Sequence, residues 1–176
     1  PVDCLIHTSL GDIAITVYPD QAPVTVANFL RYVDERRYDN STFFRVVTLD
    51  NQPDNEVKIE VIQGGDIPEE QCFPAISHET TQQTGVKHTH GTISMARGAP
   101  GTASCNFFIC IHDQPELDFG GKRNPDGLGF AAFGKVTTGM EVVERIQQQA
   151  AHGQRLKEPV AIISIRRIAL PPGKHP

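Results

Sequence analysis

Val61-Ile62-Gln63-Gly64-Gly65-Asp66 is a β-favouring apolar run interrupted by one amide and closed by a glycine pair of the kind that turns a chain. Three comparable runs flank it: Phe43-Phe44-Arg45 before it, then Gly91-Thr92-Ile93-Ser94-Met95-Ala96-Arg97 and Asn106-Phe107-Phe108-Ile109-Cys110 after it. Each alone reads as a buried strand with a polar exception. Together they place a guanidinium, two side-chain amides, a thioether and a phenyl ring on neighbouring strands. Alternation along a strand sends one of Phe107 and Phe108 into the core, and Phe107 is the better candidate.

Outward from these segments the chain reads as strands with two helices. Residues 4–8 and 13–17 are short β-rich runs around the turn residues Ser9-Leu10-Gly11-Asp12. Pro23 stands where a helix begins, and Val26, Phe29, Leu30 and Val33 recur at helical spacing. Strands are expected over 42–47 and 57–63, with the polar segment 48–56 between them as an exposed hairpin extension. Further strands are expected over 93–96, 107–111 and 131–136. Thr138 and Glu141 have the spacing of a capping box for a second helix, buried through Met140, Val143 and Ile146 and ending near Gly153. A last strand over 160–170, bracketed by Pro159 and Pro171, is expected to close the sheet against the first. An all-β chain with a helix near each end protects its strand edges by closing into a barrel, whose two open ends the helices plug.

The 176 residues fit a single domain, 1–176, long enough to bury a sizeable core. A net charge of −5 without any Lys/Arg run argues against a nucleic-acid partner. No apolar run reaches the length of a membrane span, and Pro1-Val2-Asp3-Cys4 lacks the basic start of a leader, so no membrane partner is expected. Cys4, Cys72, Cys105 and Cys110 have no Cys-x-x-Cys spacing and read as reduced thiols. The expected location is cytoplasmic, with the periplasm open if a signal peptide was removed. His78, His88 and His90 lack a carboxylate or thiolate at ligand spacing, so no metal is expected.

From about Leu5 to about Leu170, the order and content of these segments, with Phe133-Gly134-Lys135-Val136 ahead of the second helix, resemble the cyclophilin family of peptidyl-prolyl cis-trans isomerases, bacterial-type members in particular. The resemblance implies a closed eight-stranded antiparallel barrel capped by two α-helices, with its working groove on the outer surface. It also implies catalysed rotation of X-Pro bonds in assistance of protein folding, by a monomer without a cofactor. The implied partners are proline-containing peptides and unfolded or flexible protein segments. Arg45 and Gln63 match the family's catalytic positions. Val61, Met95, Ala96, Arg97, Asn106, Phe108, Leu117 and Phe130 match substrate-binding positions, Arg97 through its backbone.

The departures from the family pattern matter as well. The segment between Arg45 and Gln63 is about ten residues longer than usual, and a direct count back from Gln63 puts Glu60 where an aromatic residue enters the proline pocket. A carboxylate there is costly; alternation would instead group Ile59, Val61 and Gln63 on one face and turn Glu60 away. Val61 stands for the usual Met, Asn106 for the usual Gln and Phe130 for a His. These changes keep open the alternative of a non-catalytic proline-peptide binding module.

Overall fold

Cys4 and Ile6 of β1 (Val2–Thr8) and Ile13, Ile15 and Val17 of β2 (Gly11–Val17) are fully buried, while the residues between them are not. That alternation marks a sheet with one face in a core. In the computed structural model, which describes residues 1–168, this core is the inside of a closed barrel. The other walls are β3 (Ser41–Val47), β4 (Val61–Gly64), β5 (Thr92–Met95), β6 (Phe107–Cys110), β7 (Ala131–Thr138) and β9 (Arg155–Arg167). The ring runs β1-β2-β7-β5-β6-β4-β3-β9 and returns to β1, every pair antiparallel. The short strand β8 (Ala151–His152) stands outside this eight-stranded ring as a hairpin partner of β9. The sequence expectation placed the last strand over 160–170; its final two residues lie outside the described ones.

Helix α1 (Pro23–Asp34) has Pro at its first turn and buries the four apolar positions read from its periodicity. Phe29 sits among Tyr38, Phe107 and Phe133 at centroid distances of 5.1–5.9 Å. No local side chain caps this helix. The carboxylate of Glu79 does so from far along the chain, accepting hydrogen bonds from the Val24 and Thr25 amides at 3.2 and 2.7 Å.

The second long helix, here α3 (Met140–Gln147), begins differently from its expected capping box. Thr138 belongs to β7, and the helix is entered through Gly139 at φ +99°, where a Cβ would sit 2.4 Å from the Asp12 carbonyl oxygen. The helix stops at Gln147 rather than near Gly153, which instead turns β8 into β9. A capping box does exist at Thr80 and Gln83, on the one-turn helix α2 (Thr81–Thr84), so the described residues hold three α-helices rather than two.

One further expectation changes around 48–63. The segment 48–56 does extend the turn between the antiparallel strands β3 and β4, exposed for the most part, but residues 57–60 are not strand. Gln52, only 2% exposed, replaces the ladder: its Nε2 donates to the Thr48 and Ile59 carbonyls at 2.7 and 2.8 Å, and its Oε1 accepts from the Ile59 amide at 3.1 Å. One buried amide thus satisfies backbone groups that a second strand would otherwise have paired.

Strands β5 and β6 are buried on both faces. Ile93, Met95, Phe107 and Ile109 belong to the barrel core. Val61, Phe108 and Cys110 form a second apolar cluster with Val47, Ile59 and Leu117. This outer cluster is the foundation of the site.

Candidate active site

A register shift between Phe43 and Arg45 bulges β3 against both of its neighbours. Phe43 points into the barrel, and the next two side chains, Phe44 and Arg45, both line a cleft of about 460 Å³ on the outer surface. A bulge is the ordinary device for re-aiming a side chain in this way.

The Arg45 guanidinium is held by neutral amides. Its Nη1 donates to Gln63 Oε1 at 2.8 Å, while Nε and Nη2 both donate to Gln154 Oε1 at 3.0 and 2.7 Å. Among the described residues no carboxylate lies within 4.0 Å of it. Burial, with Arg123 and Arg155 nearby, lowers its pKa from the ordinary guanidinium value, yet an arginine stays charged at any working pH. The site therefore offers a fixed, un-neutralised cation. Gln63 continues the relay by donating through Nε2 to Asn106 Oδ1 at 3.2 Å.

Gln154 was not among the residues singled out from the sequence. It lies in the β8–β9 turn, 109 positions from Arg45, and its own Nε2 donates to the Asn51 carbonyl at 3.1 Å. We expect Gln154→Ala to leave the fold intact and release two of the three bonds that orient Arg45. Turnover of an X-Pro peptide should fall about ten- to a hundredfold, in kcat more than in KM, since misplacement by about 1 Å costs that much. Steady-state kinetics beside a thermal melt checks this, and a loss confined to the melt would make Gln154 purely structural.

The cleft floor is apolar. Val61, Phe108, Leu117 and Phe130 line it as the sequence predicted, with Ile59 beside them. Phe108 meets Phe130 edge to face at 5.3 Å and stacks on His88 at 5.9 Å. His88 is itself fixed between Asp118 (2.7 Å) and Ser94 (2.9 Å). Burial opposes ionisation of Asp118, but the hydrogen bonds from the His88 ring and amide outweigh it and lower its pKa. Glu60 turns away, to His112 at 3.0 Å and Gln147 at 3.2 Å, so Ile59 takes the floor. The alternation argument thus gave the right face although this segment is not strand.

Met95 does not reach the cleft. It is fully buried in the barrel, because β5 directs Ile93 and Met95 inward; Ala96, just past the strand, lines the cleft instead. Asn106 lines an adjoining cleft of about 250 Å³ that shares Gln63, Ala96 and Arg97 with the first. The Arg97 side chain has a job of its own: it donates to the Gly129 carbonyl at 2.6 and 3.0 Å and pairs with Asp126 at 3.0 Å, above the Phe130 ring. This anchors the 119–129 loop, where Gly129 at φ +65° passes so close to Leu117 that a Cβ would lie 2.5 Å from its carbonyl oxygen. Each of the three histidines considered for a metal is engaged elsewhere: His78 bonds the Leu128 carbonyl, His88 is buried between Asp118 and Ser94, and His90 accepts from the His112 amide.

Residues 4–167 match the family described as cyclophilin type peptidyl-prolyl cis-trans isomerase/CLD. The chain is 36% identical over 172 residues to peptidyl-prolyl cis-trans isomerase B of Escherichia coli, covering 90% of this chain and 95% of that protein. It is 34% identical over 147 residues to the isomerase cyp18 of Streptomyces antibioticus, covering 81% of each. Its fold resembles that of a cyclophilin-type isomerase of Cryptosporidium parvum solved in the presence of the dipeptide Ala-Pro, with a TM-score of 0.75 at 21% identity, over 96% of this chain and 99% of that one.

Proposed function

The chain belongs to the cyclophilin-type peptidyl-prolyl cis-trans isomerases and is an enzyme of that class, and we propose that Arg45 is the group in it that lowers the rotation barrier, with Gln63 as its partner. The observation that carries this reading is a cation held by two neutral amides at the wall of an apolar cleft.

Rotation about a peptide bond faces a barrier of roughly 18–20 kcal/mol because the nitrogen lone pair is delocalised into the carbonyl. In the twisted state the proline nitrogen recovers that lone pair, so a fixed donor aimed at it binds the transition state better than either planar form. A 100,000-fold acceleration requires about 7 kcal/mol of such selectivity. The floor formed by Ile59, Val61, Phe108, Leu117 and Phe130 would hold the proline ring while the preceding residue rotates, away from water that favours the planar amide. The backbone of Ala96 and Arg97 and the Asn106 amide would hold the peptide on the adjoining side. No covalent step is needed.

The binding-only alternative rested on the longer segment after Arg45 and on a carboxylate in the pocket; Glu60 turns away from the cleft, which favours the catalytic reading. We read the substrates as exposed proline sites in unfolded or flexible chains, acted on by a monomer. We read its compartment as a reducing one, the cytoplasm; the four free cysteines support that reading. Turnover of a short X-Pro peptide by exchange NMR tests the activity; saturable binding without accelerated exchange would overturn it.

A further inference from the structure

Three guanidinium groups face this cleft without a carboxylate partner among the described residues. Arg45 is held by amides, as above. Arg123 reaches in from the 119–129 loop, its Nη1 donating to Gln52 Oε1 at 2.9 Å and the Val57 carbonyl at 2.7 Å, and burial lowers its pKa. Arg155, exposed on β9, lies over the Phe44 ring at 5.2 Å. It is also the direct cross-strand partner of Arg45, a placement of like charges that costs stability.

Among the described residues no acidic side chain lines this cleft, although the chain carries 21 acidic residues against 16 basic ones. A fourth arginine, Arg97, is engaged by Asp126. Beside Arg123, Asn124 also lines the cleft, and its Nδ2 is buried without a hydrogen-bond partner among the described residues. Three cations without a carboxylate partner thus line one cleft. The adjoining cleft, reached past Gln63, has polar Thr102 and Ser104 and no unpaired charge.

We infer that the cleft selects proline peptides bearing an anionic side chain, carboxylate or phosphate, next to the proline on the side away from the Asn106 cleft, with Arg123 and Arg155 as the residues that read it. This rests on the isomerase reading of the same cleft. A guanidinium pairs with either anion through two parallel hydrogen bonds, and at a partly buried site the pairing is only partly screened by salt. The self-repulsion of Arg45 and Arg155 would be relieved when such a peptide binds, so recognition and relief of strain act in the same direction.

The test is exchange NMR on a set of short peptides with Glu, phosphoserine, Gln or Lys placed directly before or directly after the proline. At one of the two positions Glu should exceed Lys in kcat/KM by about tenfold, with Gln between them and the gap shrinking in high salt. Phosphoserine above Glu identifies phosphorylated sites as the preferred source; Glu equal or better identifies acidic sequences. Arg155→Glu, at an exposed position, should erase or invert the ranking, and Arg123→Gln should weaken it. Equal handling of Glu and Lys at both positions, with the Gln peptides turned over, overturns the inference. Should no peptide be turned over, the isomerase reading fails instead, and affinities from the same spectra still decide whether charge is read.

Discussion

Arg45→Ala should lose turnover by about a hundred- to a thousandfold, the range for removing one preorganised donor from a transition state, while peptide affinity changes far less. The cation sits against an apolar floor with its orientation set by Gln63 and Gln154, so under the proposed assignment its donation to the proline nitrogen would be stronger in the twisted amide than in either planar one. Arg45→Lys should restore little. An ammonium can reach one amide oxygen but cannot hold two partners in a planar fork and still present a further donor. Exchange rates and affinity from NMR on one sample separate the two effects. Unchanged turnover in Arg45→Ala would refute the assignment, and a parallel loss of affinity and melting temperature would make the residue structural.

The largest loss of stability is expected at Gln52, a side chain in a segment that looks dispensable. Its amide makes four hydrogen bonds, to Thr48, to Ile59 twice and to Arg123. Gln52→Leu keeps much of the volume but strands those buried partners, at about 1–3 kcal/mol for each group left unsatisfied. Even the low end for the three backbone groups alone, about 3 kcal/mol, lowers the melting temperature by about 6–12 °C in a domain of this size. Ile59 then loses its anchor, so turnover should fall at temperatures where the protein remains folded. A melting curve within about 2 °C of wild type would show that water replaces the amide.

The barrel and most of the cleft were legible because they rest on local pattern. Alternation exposed the core faces of β1 and β2, the helical period marked α1, and the ordered strands with Arg45, Gln63 and Phe108 carried the resemblance. What was not legible depends on closure in space. Gln154 is a turn residue whose meaning comes only from Arg45, 109 positions away. Arg123 lies in a glycine-rich loop that reads as connection, and its place in the cleft comes with a contact to the buried Gln52, far away in the sequence. Met95 was placed in the cleft by its motif, while its strand direction sends it into the barrel. The capping box at Thr138 failed because a tight β-to-helix joint next to Asp12 admits only a glycine.

The pairing of β1 with β9 bears on how the protein is made. Residues 4–8 find their partners at 162–167, so during synthesis the ring stays open until nearly all of the described chain has left the ribosome. Until then β1 and β3 present unpaired edges, and the inner apolar faces lack part of their wall. Such long-range closure is slow, and the open species is prone to associate with other chains. An enzyme that acts on the proline bonds of other chains thus itself begins as a nascent chain with open strand edges and an uncovered apolar face.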